Sequence, residues 1–94
     1  MIEWTEQAIR QLDYARDYIA LSNSEDIADR IAMQIVKSVQ QLAAFPVSGR
    51  SGRVAGTREL VVSNTSSIVA YAIERERVVV LAIYHGAQQW PEIF

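Results

Sequence analysis

The sequence predicts an α+β domain: an N-terminal two-helix antiparallel hairpin packed on one face of a three- to four-stranded, mainly antiparallel sheet. Three observations predict it. Two stretches of helical periodicity fill the first half of the chain, three runs rich in β-branched residues fill the second, and a glycine- and arginine-rich segment separates them. The link between the helices is short, which makes them antiparallel neighbours. Short polar turns join the three late strands into a meander, and the extended start Met1-Ile-Glu-Trp4 supplies a further strand.

Thr5 reads as the N-cap of the first helix, its hydroxyl accepting from a free backbone N–H, and Glu6 places a negative charge at the positive end of the dipole. Trp4 and Ile9 occupy the places of a hydrophobic staple. Ala8, Leu12, Ala15 and Ile19 recur at helical spacing, so the helix runs from about residue 5 to 21. Tyr14 and Tyr18, one turn apart, are read as packing on its flank. Ser22 and Glu25 have the spacing of a capping box and start a second helix over residues 23–44. Ile27, Ala28, Ile31, Ile35, Val39 and Leu42 give it a broad apolar face. Phe45-Pro46 ends it, because proline disfavours helical geometry in the residue before it.

Strands are expected near residues 57–62, 68–73 and 78–84, with a charged hairpin loop at Glu74-Arg-Glu-Arg77. The last is a near-continuous apolar run, suited to a central strand. Leu12, Ile19, Ile31, Ile35, Leu60, Val69, Tyr71, Val79 and Leu81 are expected to be buried. Which parity of the last strand faces the helices is open. His85-Gly86 closes that strand, and a short tail follows.

The 94 residues form a single domain, 1–94, and half of them are hydrophobic, enough for a core without staples. The chain has no cysteine, which excludes disulfides, thiolate metal sites and cysteine nucleophiles, and one histidine cannot build a histidine-rich metal site. No cofactor is expected. No apolar run is long enough to span a bilayer, and no leader pattern opens the chain, so a soluble cytoplasmic protein without a membrane partner is expected. The net charge is −2, from nine basic and eleven acidic residues, but the charge is segregated. Glu3, Glu6, Asp13, Asp17, Glu25, Asp26 and Asp29 crowd the start. Between Met33 and Ile73 the one acid is Glu59, against Lys37, Arg50, Arg53 and Arg58. A local basic face fits that distribution.

The separating segment, Phe45 to Val62, holds those three arginines with three of the four glycines. Arginine offers a fixed fork of donors for phosphate or carboxylate, and glycine lets a backbone come close to a partner. Gly49-Arg50 with Gly52-Arg53 therefore reads either as an anion-binding loop or as a solvated linker.

These motifs, Phe45-Pro46, Gly49-Arg50, Gly52-Arg53-Val54, Gly56-Thr57-Arg58-Glu59-Leu60-Val61, Tyr71, His85-Gly86-Ala87-Gln88 and Trp90-Pro91, together resemble the RelE/ParE superfamily of type II toxin–antitoxin toxins, and within it the RelE/StbE-like group. The resemblance covers nearly the whole chain. It implies a bacterial toxin neutralised by a cognate antitoxin protein from an adjacent gene. It also implies one of two targets. RelE-like members cleave mRNA on the ribosome without a metal; ParE-like members poison DNA gyrase by binding, with no nuclease site. On the first implication Arg50, Arg53, Arg58 and His85 are the catalytic residues of an mRNA endoribonuclease, and Tyr84 and Trp90 contact substrate. The chain departs from the nuclease pattern at Ala72 and Ala82, where such relatives often carry arginine. Those departures favour the gyrase alternative, whereas His85 and the arginine cluster favour the endoribonuclease, which is the leading expectation; a decayed toxin that still binds antitoxin is a third reading.

The nuclease reading needs proton transfer and a stabilised phosphorane. Histidine suits the first near neutral pH and arginine the second. Tyr84 and His85 are adjacent in a strand, so they point to opposite faces. His85 equally reads as a strand-end histidine bonded to backbone, Trp90 as a cover for the sheet edge, and Arg58 as an ion-pair partner. Glu59 is a general base only if it faces the cleft.

Overall fold

The structure is a computed structural model that describes residues 1–85 of the chain, His85 by its backbone alone. Two helices pack on a five-stranded mixed sheet. In chain order the elements are β1 (Ile2–Trp4), α1 (Glu6–Ser22), α2 (Glu25–Gln40), a 3-10 turn (Gln41–Ala43), β2 (Arg50–Ser51), β3 (Arg58–Val61), β4 (Ser67–Glu74) and β5 (Arg77–His85). The strand order is β1-β5-β4-β3-β2; β1 pairs parallel to β5, and every other pairing is antiparallel. The predicted α+β class and helical hairpin are therefore observed. The two-residue edge strand β2 lies inside the segment read as an anion-binding loop or a solvated linker.

Thr5 caps α1 as expected, accepting from the Ala8 N–H at 3.1 Å. The same hydroxyl donates to the Leu81 carbonyl at 3.1 Å, and the Thr5 N–H bonds the Val80 carbonyl. One residue thus starts the helix and ties it to β5. Trp4 packs against the core, whereas Ile9 stays exposed. The second cap is not Ser22. That hydroxyl donates back to the Tyr18 carbonyl at 2.8 Å, so α1 runs through it, and Ser24 takes the capping role by accepting from the Ile27 N–H. The α-helix also stops at Gln40 rather than 44. Its end tightens into the 3-10 turn, which buries Leu42 completely before Pro46. Arg16 joins the two helices through Asp29, at 2.8 Å, with Glu25 and Asp17 beside it.

The core between helices and sheet holds Ala8, Ile35, Val39, Val62, Val69, Val80 and Ile83, extended by Leu42, Tyr71 and Val78. A β-bulge settles the open parity of the last strand. Ala70 pairs with Ala82, but Tyr71 pairs with Val80, so Leu81 is the inserted residue. Val78, Val80 and Ile83 consequently face the helices, and Val79 is buried on the other side of the sheet. Ile35, Val69 and Tyr71 are buried as expected; Leu12, Ile19, Ile31, Leu60 and Leu81 are only half-buried. A second small cluster of Ala70, Ala82 and Tyr84 occupies the sheet face away from the helices.

Candidate functional site

Two residues of the sheet hold the arginine-bearing loop. Tyr71, fully buried in β4, donates its hydroxyl proton to the Pro46 carbonyl at 2.7 Å and accepts from the Gly49 N–H at 3.0 Å. A side chain at position 49 would meet that hydroxyl at 2.6 Å and the Glu59 carbonyl at 2.8 Å, so the close approach requires glycine. Glu59, in β3, is 2% exposed. Its Oε1 accepts from Arg50 Nε at 3.2 Å and Nη2 at 3.0 Å, and its Oε2 accepts from the Arg53 backbone N–H at 2.8 Å. The Arg53 guanidinium adds an ion pair at 3.7 Å. A buried carboxylate needs such partners, because an unpaired charge away from water costs several kcal/mol, of order ~3–5.

The sheet register divides the predicted arginine cluster. Residues directly opposite on paired strands share a face. Arg50 lies opposite Glu59 and Glu59 opposite Ala70, on the face away from the helices. Arg58 lies opposite Tyr71, on the helix face, and its Nη1 donates to the Gly49 carbonyl at 2.7 Å. Arg50 and Arg53 are thus brought together, and Arg58 is turned from them to brace the loop. Glu59, the conditional general base, has both oxygens engaged. The signal that could have found its role is in the sequence: it is the one acid among four cations in that stretch, in a strand that alternates.

Tyr84 is nearly buried beside Ala70 and Ala82, and burial raises the pKa of its hydroxyl although a hydrogen bond from Gln11 opposes this. Ala82 is fully buried and Ala72 half-buried, so both departures from the nuclease pattern sit within the sheet. The side chain of His85, and Trp90 with the rest of the tail, lie outside the described residues. Among the described residues no group of three or more His, Cys, Asp or Glu side chains could hold a metal ion, and no helix is long and apolar enough to cross a membrane.

A groove of about 880 Å³ runs between α1 and the turn from β3 to β4. Ile19, Ile31 and Ile83 line it, with Tyr14 and Tyr18 at its edge. Those tyrosines are 74% and 64% exposed, so they do not pack on the helix flank as expected. Gln11 reaches β5 beside it, its Oε1 accepting from the Ile83 N–H at 2.8 Å where β1 no longer covers the strand.

Residues 2–90 match the family described as ParE toxin of type II toxin-antitoxin system, parDE. The candidate toxin Y4kP of Sinorhizobium fredii (strain NBRC 101917 / NGR234) is 41% identical over 92 residues, which span 98% of this chain and 94% of that protein. A solved chain of the chromosomal ParDE TA system from P. aeruginosa superposes with a TM-score of 0.82 at 23% identity, over 89% of this chain and 92% of the other; that likeness carries the fold. The matches point to ParE and not to the RelE/StbE-like group that the motifs suggested. In this chain the motif residues Pro46, Gly49, Arg50, Glu59 and Tyr71 fasten a loop to a sheet, a role that singles out no target.

Proposed function

Because the chain belongs to the ParE toxin family of type II toxin–antitoxin systems, with a cognate antitoxin as its partner, we propose that it poisons DNA gyrase by binding and performs no nuclease chemistry. The observation that carries this reading is the engagement of Glu59. Glu59, a general base only if it faced a cleft, is buried under Arg50 and Arg53, and the third arginine of the expected catalytic cluster braces the loop from the opposite face. Phosphoryl chemistry needs donors aimed at one developing charge, and Arg58 lies on the other face of the sheet from Arg50 and Arg53. Ala72 and Ala82 in place of arginine support the same reading. The ribosome-dependent endoribonuclease expected from the sequence is the weaker reading on the same grounds. Gyrase supercoiling with the purified chain, beside mRNA cleavage on programmed ribosomes, tests the proposal. Supercoiling should be inhibited and then rescued by antitoxin, with the mRNA intact. Cleaved mRNA with unaffected gyrase would overturn it.

A further inference from the structure

We propose that the C-terminal segment of this chain, residues 86–94, folds back and seats Trp90, Ile93 and Phe94 in the groove between α1 and the turn from β3 to β4, closing the core in cis. The inference goes beyond the gyrase reading and does not depend on it. The groove opens where β5 ends: Ile83 and Tyr84 line it, and the strand stops at His85. Gln11 of α1 accepts from the Ile83 N–H, which fixes the helix against the strand at that level. From there α1 runs on to Ser22, about 16 Å further at ~1.5 Å per residue. β5 runs on only to His85, about 7 Å. The helical hairpin therefore overhangs the sheet. Ile19, on the overhanging turns, lines the groove together with Ile31 of α2. Both stay half-buried although helical spacing marks them as core positions, because the sheet does not extend beneath them.

Tether, reach and charge select this occupant. Four residues, Gly86 to Gln89, separate His85 from Trp90. A short flexible tether holds its group at an effective concentration on the order of mM, which a partner in trans has to exceed. Nine residues reach up to ~30 Å when extended, so the segment spans the overhang to the far end of the groove at Asn23. Every residue lining the groove is uncharged: the side chains are apolar, tyrosine, hydroxyl or amide. A nucleic acid or a strongly acidic protein segment finds no cation there. The C-terminal segment has one charged side chain, Glu92, among Trp90, Pro91, Ile93 and Phe94. The volume, about 880 Å³, lies within the ~300–1,000 Å³ of sites that enclose a whole small ligand, so it has room for several side chains. Seating an aromatic residue there removes on the order of 150–250 Å² from water.

The test uses the full chain, purified without antitoxin, and reads the surroundings of Trp90 directly. Its acrylamide quenching is taken as the difference between each protein and the same protein carrying Trp90→Phe, which removes the signal of Trp4. Quenching should be several-fold weaker in wild type than in Tyr18→Lys, which sets a charge at the groove's edge from an exposed position and leaves the fold intact. Ile19→Ala and Trp90→Ala are then combined in a double-mutant cycle on denaturant unfolding. Their joint effect on the unfolding constant should depart from the product of the single effects by about tenfold, as for residues in contact. Leu21, 91% exposed and outside the groove, should show no such departure with Trp90. Trp90 quenched as freely as indole in water, or independent effects of Ile19 and Trp90, would overturn the inference. So would protection lost on dilution together with a dimer, which puts the segment in a second copy. Protection that arises only when cognate antitoxin is added gives the groove to that partner and overturns it as well.

Discussion

Glu59 and Tyr71 each do by one side chain what a longer loop would need several contacts to do. Tyr71→Phe removes the hydroxyl and leaves the buried Gly49 N–H without an acceptor. An unsatisfied buried donor costs about 1–3 kcal/mol, so denaturant unfolding should show that loss with an unchanged m-value. Gly49→Ala should cost at least as much, because the new methyl meets the Tyr71 hydroxyl and the backbone of Glu59. Glu59→Ala leaves two arginines that are half exposed and can turn to water. Its cost should therefore sit near about 2 kcal/mol, the scale of one charged hydrogen bond, rather than that of an uncompensated buried charge. Tyr84 adds a pH dependence. Burial raises its folded pKa above the ordinary 10.0, so the neutral form is favoured on folding. That stabilisation is complete below about pH 10 and lost as pH rises through the folded pKa. Thermal stability should fall above that point, and Tyr84→Phe should flatten the fall. The arginines were legible in the sequence as anion donors. Their division between two faces was not, because it depends on the pairing of β2 with β3.

At the scale of elements, the hairpin from β4 to β5 turns through Arg75 and Glu76, both with positive φ, 49° and 68°. This is the two-residue type I′ turn, which favours Asn-Gly. Neither residue relieves the strain of left-handed backbone, worth roughly 1–2 kcal/mol per residue. Glu76→Gly should raise the melting temperature by several degrees, and a lowered value would contradict the turn assignment. Ser24→Ala should lower stability by about 1 kcal/mol through loss of the cap, while Ser22→Ala should change little, since its hydroxyl only returns to the Tyr18 carbonyl. Two Ser-to-Ala thermal melts distinguish the two caps. Helix and strand types were readable because their periodicities are strong. The bulge at Leu81 was not, for it shows in the pairing with Ala70 and Tyr71 and leaves no mark in a run of apolar residues. The cap was misplaced by two residues because Ser22 and Ser24 are both short polar residues ahead of acids.

The molecule as a whole joins a helical hairpin to a mixed sheet, and the parallel pairing of β1 with β5 brings the first strand beside the last. The sequence identified the superfamily through residues that fasten the loop, and so it could identify the architecture more surely than the target. What separates the two targets is chemistry: whether one surface assembles a base and a stabilised phosphate, or only binds. Glu59 is engaged by Arg50 and Arg53, and Arg58 by the Gly49 carbonyl, and the proposal that the chain only binds follows from that engagement. The most direct measurement is made in cells expressing the chain under tight control without antitoxin, following protein synthesis and the DNA-damage response together from the moment of induction. The account predicts an early DNA-damage response while translation continues. Immediate arrest of translation with cleaved mRNA and no DNA-damage response would contradict it.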